Sequence, residues 1–390
     1  MGDTSVVPVP LPTPDTVELT PPSAEEVERL ARGVASVAAP PAGLTDLQRA
    51  LIEALFPALT DHAVDLRGYE PLAVVDLAEA LRHRDAAFRT RVLQVTLLPA
   101  LLLRPLPAEV ADRLDELAAE LGVAEGMLTV ARDLSHGALG LAAFDFERNG
   151  YTAAWSPEAA AALHTARPPE AAWEQVVHDP ELAARWAALG ELPAGTLGRR
   201  VWELYCARGF TFPGLPGSAP PLLAQHDWVH VVADYGTTVE SELEVFAFIA
   251  RANDDLHAFS LLAMVVSLFE TGYLAREAGL FESSPGRLTS NNQVAIRMAD
   301  ALRRGALSKD THTGSDSVDY LLGVDWFELA ELPVETVRQR FHITPKSDHA
   351  IAAGSVTPFG PGGISEYQLA TGMAAAEAAG RPYDSYGATV

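Results

Sequence analysis

His226-Asp227-Trp-Val-His230-Val-Val-Ala-Asp234-Tyr-Gly236-Thr237-Thr-Val-Glu240-Ser-Glu242 is the stretch that decides both the fold class and the chemistry of this chain. On a helix, His226 and His230 stand one turn apart on one face, about 5–6 Å between Cβ atoms. Both rings can then reach one ion. Imidazole and carboxylate together suit a divalent metal, zinc first, with iron and cobalt as alternatives. Asp227 lies about 100° further round the helix, where it ligates at the edge of the site or orients a ligand. Glu242 cannot share the same straight helix, because twelve residues would carry it about 18 Å along the axis from His230. The sequence supplies a break. Asp234-Tyr235-Gly236 reads as a helix end with glycine just past it. Thr237 then reads as a cap, with Glu240 completing a capping box. A returning helix brings Glu242 back toward the histidines, and two facing helices supplying ligands is how bundles build metal sites. Asp227 and Glu242 are also the candidate proton-moving groups.

Composition limits the partners. The chain has 390 residues, enough for two or three domains, and 48% are hydrophobic. The net charge is −24 with no basic run, which excludes nucleic acid as an expected partner. Anionic membrane surface is disfavoured for the same reason. The single cysteine, Cys206, rules out an internal disulfide framework and suits a reducing cytosol. Residues 1–9 show no basic stretch followed by an apolar core, so no signal peptide is read. The apolar runs Val92–Leu103 and Ala258–Phe269 are shorter than the roughly 18–20 residues a spanning helix needs. A cytoplasmic protein, at most peripheral to a membrane, is expected.

The pattern along the chain is all-α. Residues 1–43 read as a Pro-rich arm and a short helix capped by Ser23. Residues 44–150 read as a helical bundle, with apolar residues at three- and four-residue spacing over Leu72–Leu81, Ala86–Leu103, Ala108–Leu121 and Glu125–Asp145. Residues 151–169 are an Ala/Pro-rich linker, and 170–343 form a second helical domain. Within it, Leu256–Phe269 is apolar on nearly every side. Leu261 and Val265 on that helix are candidates to line a cavity for a prenyl or acyl chain. Residues 344–390 return to Gly, Pro, Ser and Ala and read as a flexible tail with one helical patch at Gln368–Ala379.

Three segments carry a family resemblance. Leu192-Pro-Ala-Gly-Thr-Leu-Gly-Arg199, the histidine and acid pattern ending at Glu242, and Gly323-Val-Asp-Trp326 with Leu332-Pro333 and Val337-Arg338 through His342-Ile343 resemble, in order, the signatures of the COQ4 family of ubiquinone biosynthesis. The resemblance covers about residues 170–343. It implies an all-helical fold with a metal held by His226, Asp227, His230 and Glu242 beside an apolar cavity. It also implies oxidative removal of a ring carboxylate from a prenylated hydroxybenzoate-like substrate, with hydroxylation at that carbon, and a role as organiser of a biosynthetic complex. Arg199, in the first segment, is the candidate partner of a substrate carboxylate. Residues 44–150 loosely resemble the TerB-like helical domains of tellurite resistance in helix order and acidic character.

Two rival functions follow. One is a non-catalytic lipid-binding scaffold for protein partners, with a structural metal. The other is a phosphohydrolase of the HD type, which would recruit His178 and Asp254 or Asp255. His178-Asp179-Pro180 reads better as a helix start, with proline in the first turn.

Overall fold

The structure is a computed structural model that describes residues 22–103, 105–125, 127–136, 164, 178–219, 221–252, 262–263, 265–266, 293–308, 321 and 323–390. Among the described residues the regular structure is helical, with no strand and isolated bridges at Thr196–Pro333 and Pro361–Thr389. The order is α1 (Ala24–Ala38), α2 (Asp46–Thr60), α3 (Val74–Ala80), α4 (Ala86–Ala100), α5 (Ala108–Leu121) and α6 (Met127–Ser135). After it come α7 (Pro180–Ala188), α8 (Leu197–Arg208), α9 (Pro221–Ala233), α10 (Val239–Ala252) and α11 (Gln293–Leu307). The chain closes with α12 (Trp326–Leu329), α13 (Val334–Arg340), α14 (Asp348–Ala352) and α15 (Glu366–Ala378).

Local chemistry sets several of these boundaries. The Ser23 hydroxyl accepts from Glu26 N at 3.3 Å and starts α1. Thr45 and Gln48 form a capping box at α2. Asp179 caps α7, accepting from Leu182 N at 3.1 Å, with Pro180 in the first turn. Pro99 stays inside the last turn of α4. Its carbonyl accepts from the buried Gln48 amide at 3.0 Å, which ties α4 to α2.

The expected helical bundle and the second helical region share one buried core. The apolar faces of α1 to α6 and those of α7 to α13 belong to a single contiguous cluster. Across the junction α2 packs on α11, and Arg303 on α11 donates to the Pro57 carbonyl at 2.9 Å. The linker expected at 151–169 lies outside the described residues apart from His164.

Residues 344–390, expected as a flexible tail, are folded. They carry α14 and α15, and they bury Ile364 and Gln368. The physical reason is in part a small apolar cluster, Ile364 and Ala388 against Ala207, and in part polar. Buried donors elsewhere in the chain need acceptors, and the carbonyls of this segment supply them. Composition alone conceals that demand.

The segments 192–199 and 323–338, far apart in sequence, meet in space. Leu197 N donates to Leu332 O at 2.8 Å and Gly198 N to Ala330 O at 2.9 Å. Amides at the start of α8, without partners in their own helix, are thereby satisfied by the turn between α12 and α13.

Candidate metal centre

α9 places His226, Asp227 and His230, and its C-terminal end is held by cations. Arg338 donates to the Val231 and Val232 carbonyls at 3.0 and 2.9 Å. Arg304 reaches the Ala233 carbonyl at 2.9 Å and Lys346 the Asp234 carbonyl at 2.7 Å. Positive charge on the last carbonyls of a helix satisfies orphan acceptors and complements the helix dipole. Trp228, fully buried, anchors the opposite face between Trp186, Trp326 and Phe327.

The break after α9 does turn the chain, by different residues from those expected. The left-handed position is Asp234, with φ 66°, and not Gly236. Asp is among the residues that tolerate this conformation. Gly236 is needed for space, since a Cβ there would stand 3.0 Å from Val356 Cγ2 and 3.2 Å from Gly363 Cα. The cap of α10 is Thr238 rather than Thr237, its hydroxyl accepting from Ser241 N at 3.4 Å. α10 then runs back beside α9 and delivers Glu242 from its first turn.

The four residues converge. His226 Nε2 lies 3.2 Å from Glu242 Oε2, and His230 Nε2 lies 3.1 Å from Glu242 Oε1. His226 Nε2 is 3.5 Å from Asp227 Oδ1. One ligand atom each from His226, Asp227 and His230 falls within 4.8 Å of the others. All four residues are at most 4% exposed.

The imidazoles are oriented by backbone. His226 Nδ1 donates to the Leu223 carbonyl, and His230 Nδ1 donates to the Gly236 carbonyl at 2.7 Å. A carbonyl only accepts, so each Nδ1 carries a proton and each Nε2 faces the carboxylates, as a second N–H where the ring is charged and as a lone pair where a metal takes that proton's place. His230 Nε2 has no hydrogen-bond partner despite its nearness to Glu242. A buried lone pair aimed at carboxylate oxygens is stable only with a cation or a proton between them.

The donor set fits a metal. Bonds of about 2.1 Å to zinc place neighbouring ligand atoms about 3.0–3.4 Å apart, from octahedral to tetrahedral geometry. The two histidine–Glu242 separations, 3.1 and 3.2 Å, fall in that range, and the His226–Asp227 separation of 3.5 Å lies just above it. Each histidine also has the outer partner that metal-bound imidazoles carry.

The electrostatics agree. Burial works to lower the pKa of His226, but the charge of Asp227 and the hydrogen bond to Glu242 hold it up at about 9. Burial opposes ionisation of Glu242, yet His230 and His226 hold its carboxyl down at about 2. Burial pushes Asp227 up, against the pull of the two imidazoles and Tyr205. Glu242 is therefore a firm anion, whereas Asp227 is the acid more easily protonated.

Residues that the sequence did not single out complete the site. Tyr205 on α8 donates to Asp227 Oδ2 at 2.5 Å, and its ring stacks on Phe212 with centroids 5.4 Å apart. Phe246 on α10 stacks on the His226 ring at 5.1 Å. A tyrosine in the last turn of a helix carries no signal of its own, whereas Phe246 follows Glu242 by one turn and was open to discovery by spacing.

The remaining candidates lie elsewhere. Arg199 donates through Nε to Glu203 at 2.9 Å and through Nη1 to the Gly190 carbonyl, and it stacks over Trp202 at 4.6 Å. Partnership with a substrate carboxylate would require that network to open. Val265 is buried in the common core. Leu261, Asp254 and Asp255 lie outside the described residues. His178 is exposed at the start of α7 and does not join the cluster. A small apolar cavity of about 60 Å³, lined by Leu30, Val34, Phe56, Phe88 and Val95 among others, sits between α1, α2 and α4 rather than at the histidines.

No protein-family model matches this chain, and no curated protein matches it. Among solved structures, the chain is similar to a protein from Nostoc punctiforme PCC 73102 whose name assigns it to ubiquinone biosynthesis. The identity is 17%, the TM-score is 0.29, and the match covers 66% of this chain and 98% of the other. No described helix is long and apolar enough to cross a membrane.

Proposed function

We propose that this chain binds a divalent cation, zinc first and iron or cobalt next, through His226, Asp227, His230 and Glu242, and acts with it on a lipid-like prenylated aromatic. The observation that carries this reading is the convergence of two imidazole Nε2 atoms on one carboxylate, at 3.1 and 3.2 Å, with both Nδ1 atoms already committed to backbone carbonyls. The resemblance of the three sequence segments supplies the substrate class and the reaction type: the ring carboxylate leaves as carbon dioxide, a hydroxyl group from water takes its place, and dioxygen accepts the two electrons and becomes hydrogen peroxide.

A divalent ion bound here supplies Lewis acidity toward a phenolate or carboxylate oxygen of the substrate head. The chain does the rest. Glu242, held ionised by its neighbours, balances positive charge. Tyr205 donates a hydrogen bond to Asp227, which orients that carboxyl as the group that would hold or take up a proton. Phe246 stacks on the His226 ring and holds it from that side. The partners on this reading are a hydrophobic small molecule with a prenyl or acyl chain and proteins of a biosynthetic complex. Nucleic acid is opposed by the charge of −24, and membrane contact is at most peripheral.

Purified protein tests this through its metal content, repeated for His230→Ala, and through incubation with a prenylated 4-hydroxybenzoate followed by mass spectrometry. The expected result is one bound ion per chain, lost in the variant, and a product with hydroxyl in place of carboxylate. Unchanged metal content in His230→Ala would overturn the metal assignment.

A second reading has one observation in its favour. All four ligand-type residues are buried, as in closed structural sites. On that reading the protein is a non-catalytic lipid-binding scaffold. Slow exchange of the metal, with the prenylated acid bound but unconverted, would select it.

A further inference from the structure

The carbonyl that orients His230 belongs to Gly236, and the peptide groups around it are held by residues more than a hundred positions later. Gly236 N donates to Val356 O at 2.9 Å, and Thr237 N to Gly363 O at 3.2 Å. Thr237 O accepts from Gln368 Nε2 at 2.8 Å, and the Thr237 hydroxyl donates to Gln368 Oε1 at 2.9 Å. Gln368 is 1% exposed and sits in the first turn of α15. Arg208, wholly buried at the end of α8, donates to the Thr237 hydroxyl, to Pro358 O at 2.8 Å and to Gly363 O at 2.7 Å.

This arrangement is costly to assemble without purpose. A buried guanidinium is tolerated only where acceptors saturate it, and two of the acceptors of Arg208, Pro358 O and Gly363 O, come from the segment 355–369. The segment in turn is seated against α8 by direct backbone approach. A Cβ on Gly372 would stand 2.0 Å from the Ala207 carbonyl oxygen, so only glycine lets α15 come this close. Tyr383 adds a hydrogen bond to the same carbonyl at 3.0 Å.

We infer that residues 355–369 are a positioning segment for the metal centre, in which Gln368 and Arg208 fix the Gly236–Thr237 peptides and, through them, the His230 ring and the helix start that carries Glu242. The assignment rests on the reading of the cluster as a metal site. Gln368 and Arg208 are positioning residues, since neither touches the ligand atoms. The route is short. Gly236 O holds His230 Nδ1 at 2.7 Å, and Thr238, one residue past the clamp, caps α10 and accepts from Glu242 N at 2.9 Å. Outer partners of metal-bound imidazoles contribute about ten- to a hundredfold in metal affinity.

The test uses the full chain and zinc alone, with affinity measured by chelator competition in wild type, Gln368→Ala and Gln368→Glu. Gln48→Ala is the control. That glutamine is equally buried and bonds the Ala38 and Pro99 carbonyls at 2.8 and 3.0 Å, without contact to the turn. Amide exchange at Gly236 and Thr237 in the metal-free protein reports the clamp independently. The expected result is faster exchange at those amides and zinc binding weakened about ten- to a hundredfold in both Gln368 variants. The control should lose stability with zinc affinity within about twofold of wild type. Gln368→Glu keeps the acceptor for Thr237 and loses the donor, so it serves if Gln368→Ala does not fold. Loosened amides with unchanged zinc affinity would overturn the inference, leaving the segment purely structural. A wild-type chain that binds no zinc would instead remove the metal reading itself.

Discussion

Tyr205 donates its phenolic hydroxyl to Asp227 Oδ2 at 2.5 Å, with both side chains buried and the Tyr205 ring packed against Trp186 and Phe212. The bond joins α8 to α9 and points the other Asp227 oxygen toward His226. Tyr205→Phe keeps the ring and removes only the donor. Leaving a buried acceptor unsatisfied costs about 1–3 kcal/mol. The variant should fold, lose stability of that order in urea, and bind zinc about tenfold more weakly. Unchanged zinc affinity would show that Asp227 needs no outer partner.

How much of this was open to the sequence follows from the range of each interaction. His226 and His230 were legible because helical spacing is local, and the break at 234–236 was legible as a place. Its details were not. Asp234 took the left-handed position expected of Gly236, because three cations hold the carbonyls there and a later segment presses on the glycine. Gln368 was invisible. Its role depends on meeting a turn 131 residues away, and although a helical patch was legible from Gln368 to Ala379, nothing in its pattern announced that Gln368 would be buried. The common core of the two helical regions was hidden for the same reason, since periodicity marks an apolar face without naming what covers it.

Glu26 and Arg84 make a two-point contact, Nε to Oε1 at 2.7 Å and Nη2 to Oε2 at 2.5 Å, which ties α1 to the turn after α3. The Arg84 hydrogen bond is the main cause of a Glu26 pKa below its ordinary value of 4.5. A carboxyl with a lower pKa in the folded state contributes stability above its unfolded pKa and loses it as pH falls through the folded one. Because the pair is partly screened by solvent, its worth is about 1 kcal/mol. Glu26→Gln should therefore be less stable than wild type at pH 7 by that amount. The gap should close as pH falls below about 4.5. Urea midpoints across pH check this, and a gap that persists at low pH would contradict it.

Glu244 and Arg297 form a buried ion pair between α10 and α11, Nη2 to Oε2 at 2.6 Å, and Arg297 also reaches the Ser241 hydroxyl at 3.3 Å. Removing one partner strands a charge in the core. Glu244→Gln or Arg297→Met alone should cost about 3–5 kcal/mol, while the pair replaced together by apolar residues of similar volume should cost much less. A double-mutant cycle in urea measures this. Additive losses would show that the two charges do not act as a pair.

The central claim is that α9 and α10 cage one divalent ion between two imidazoles and two carboxylates. X-ray absorption at the zinc edge on the reconstituted full chain tests it most directly. The account predicts one zinc per chain with a nitrogen and oxygen shell at about 2.0–2.2 Å, two imidazole signatures and no sulfur. A spectrum of hydrated zinc alone, or one with a single imidazole or a sulfur ligand, would contradict it.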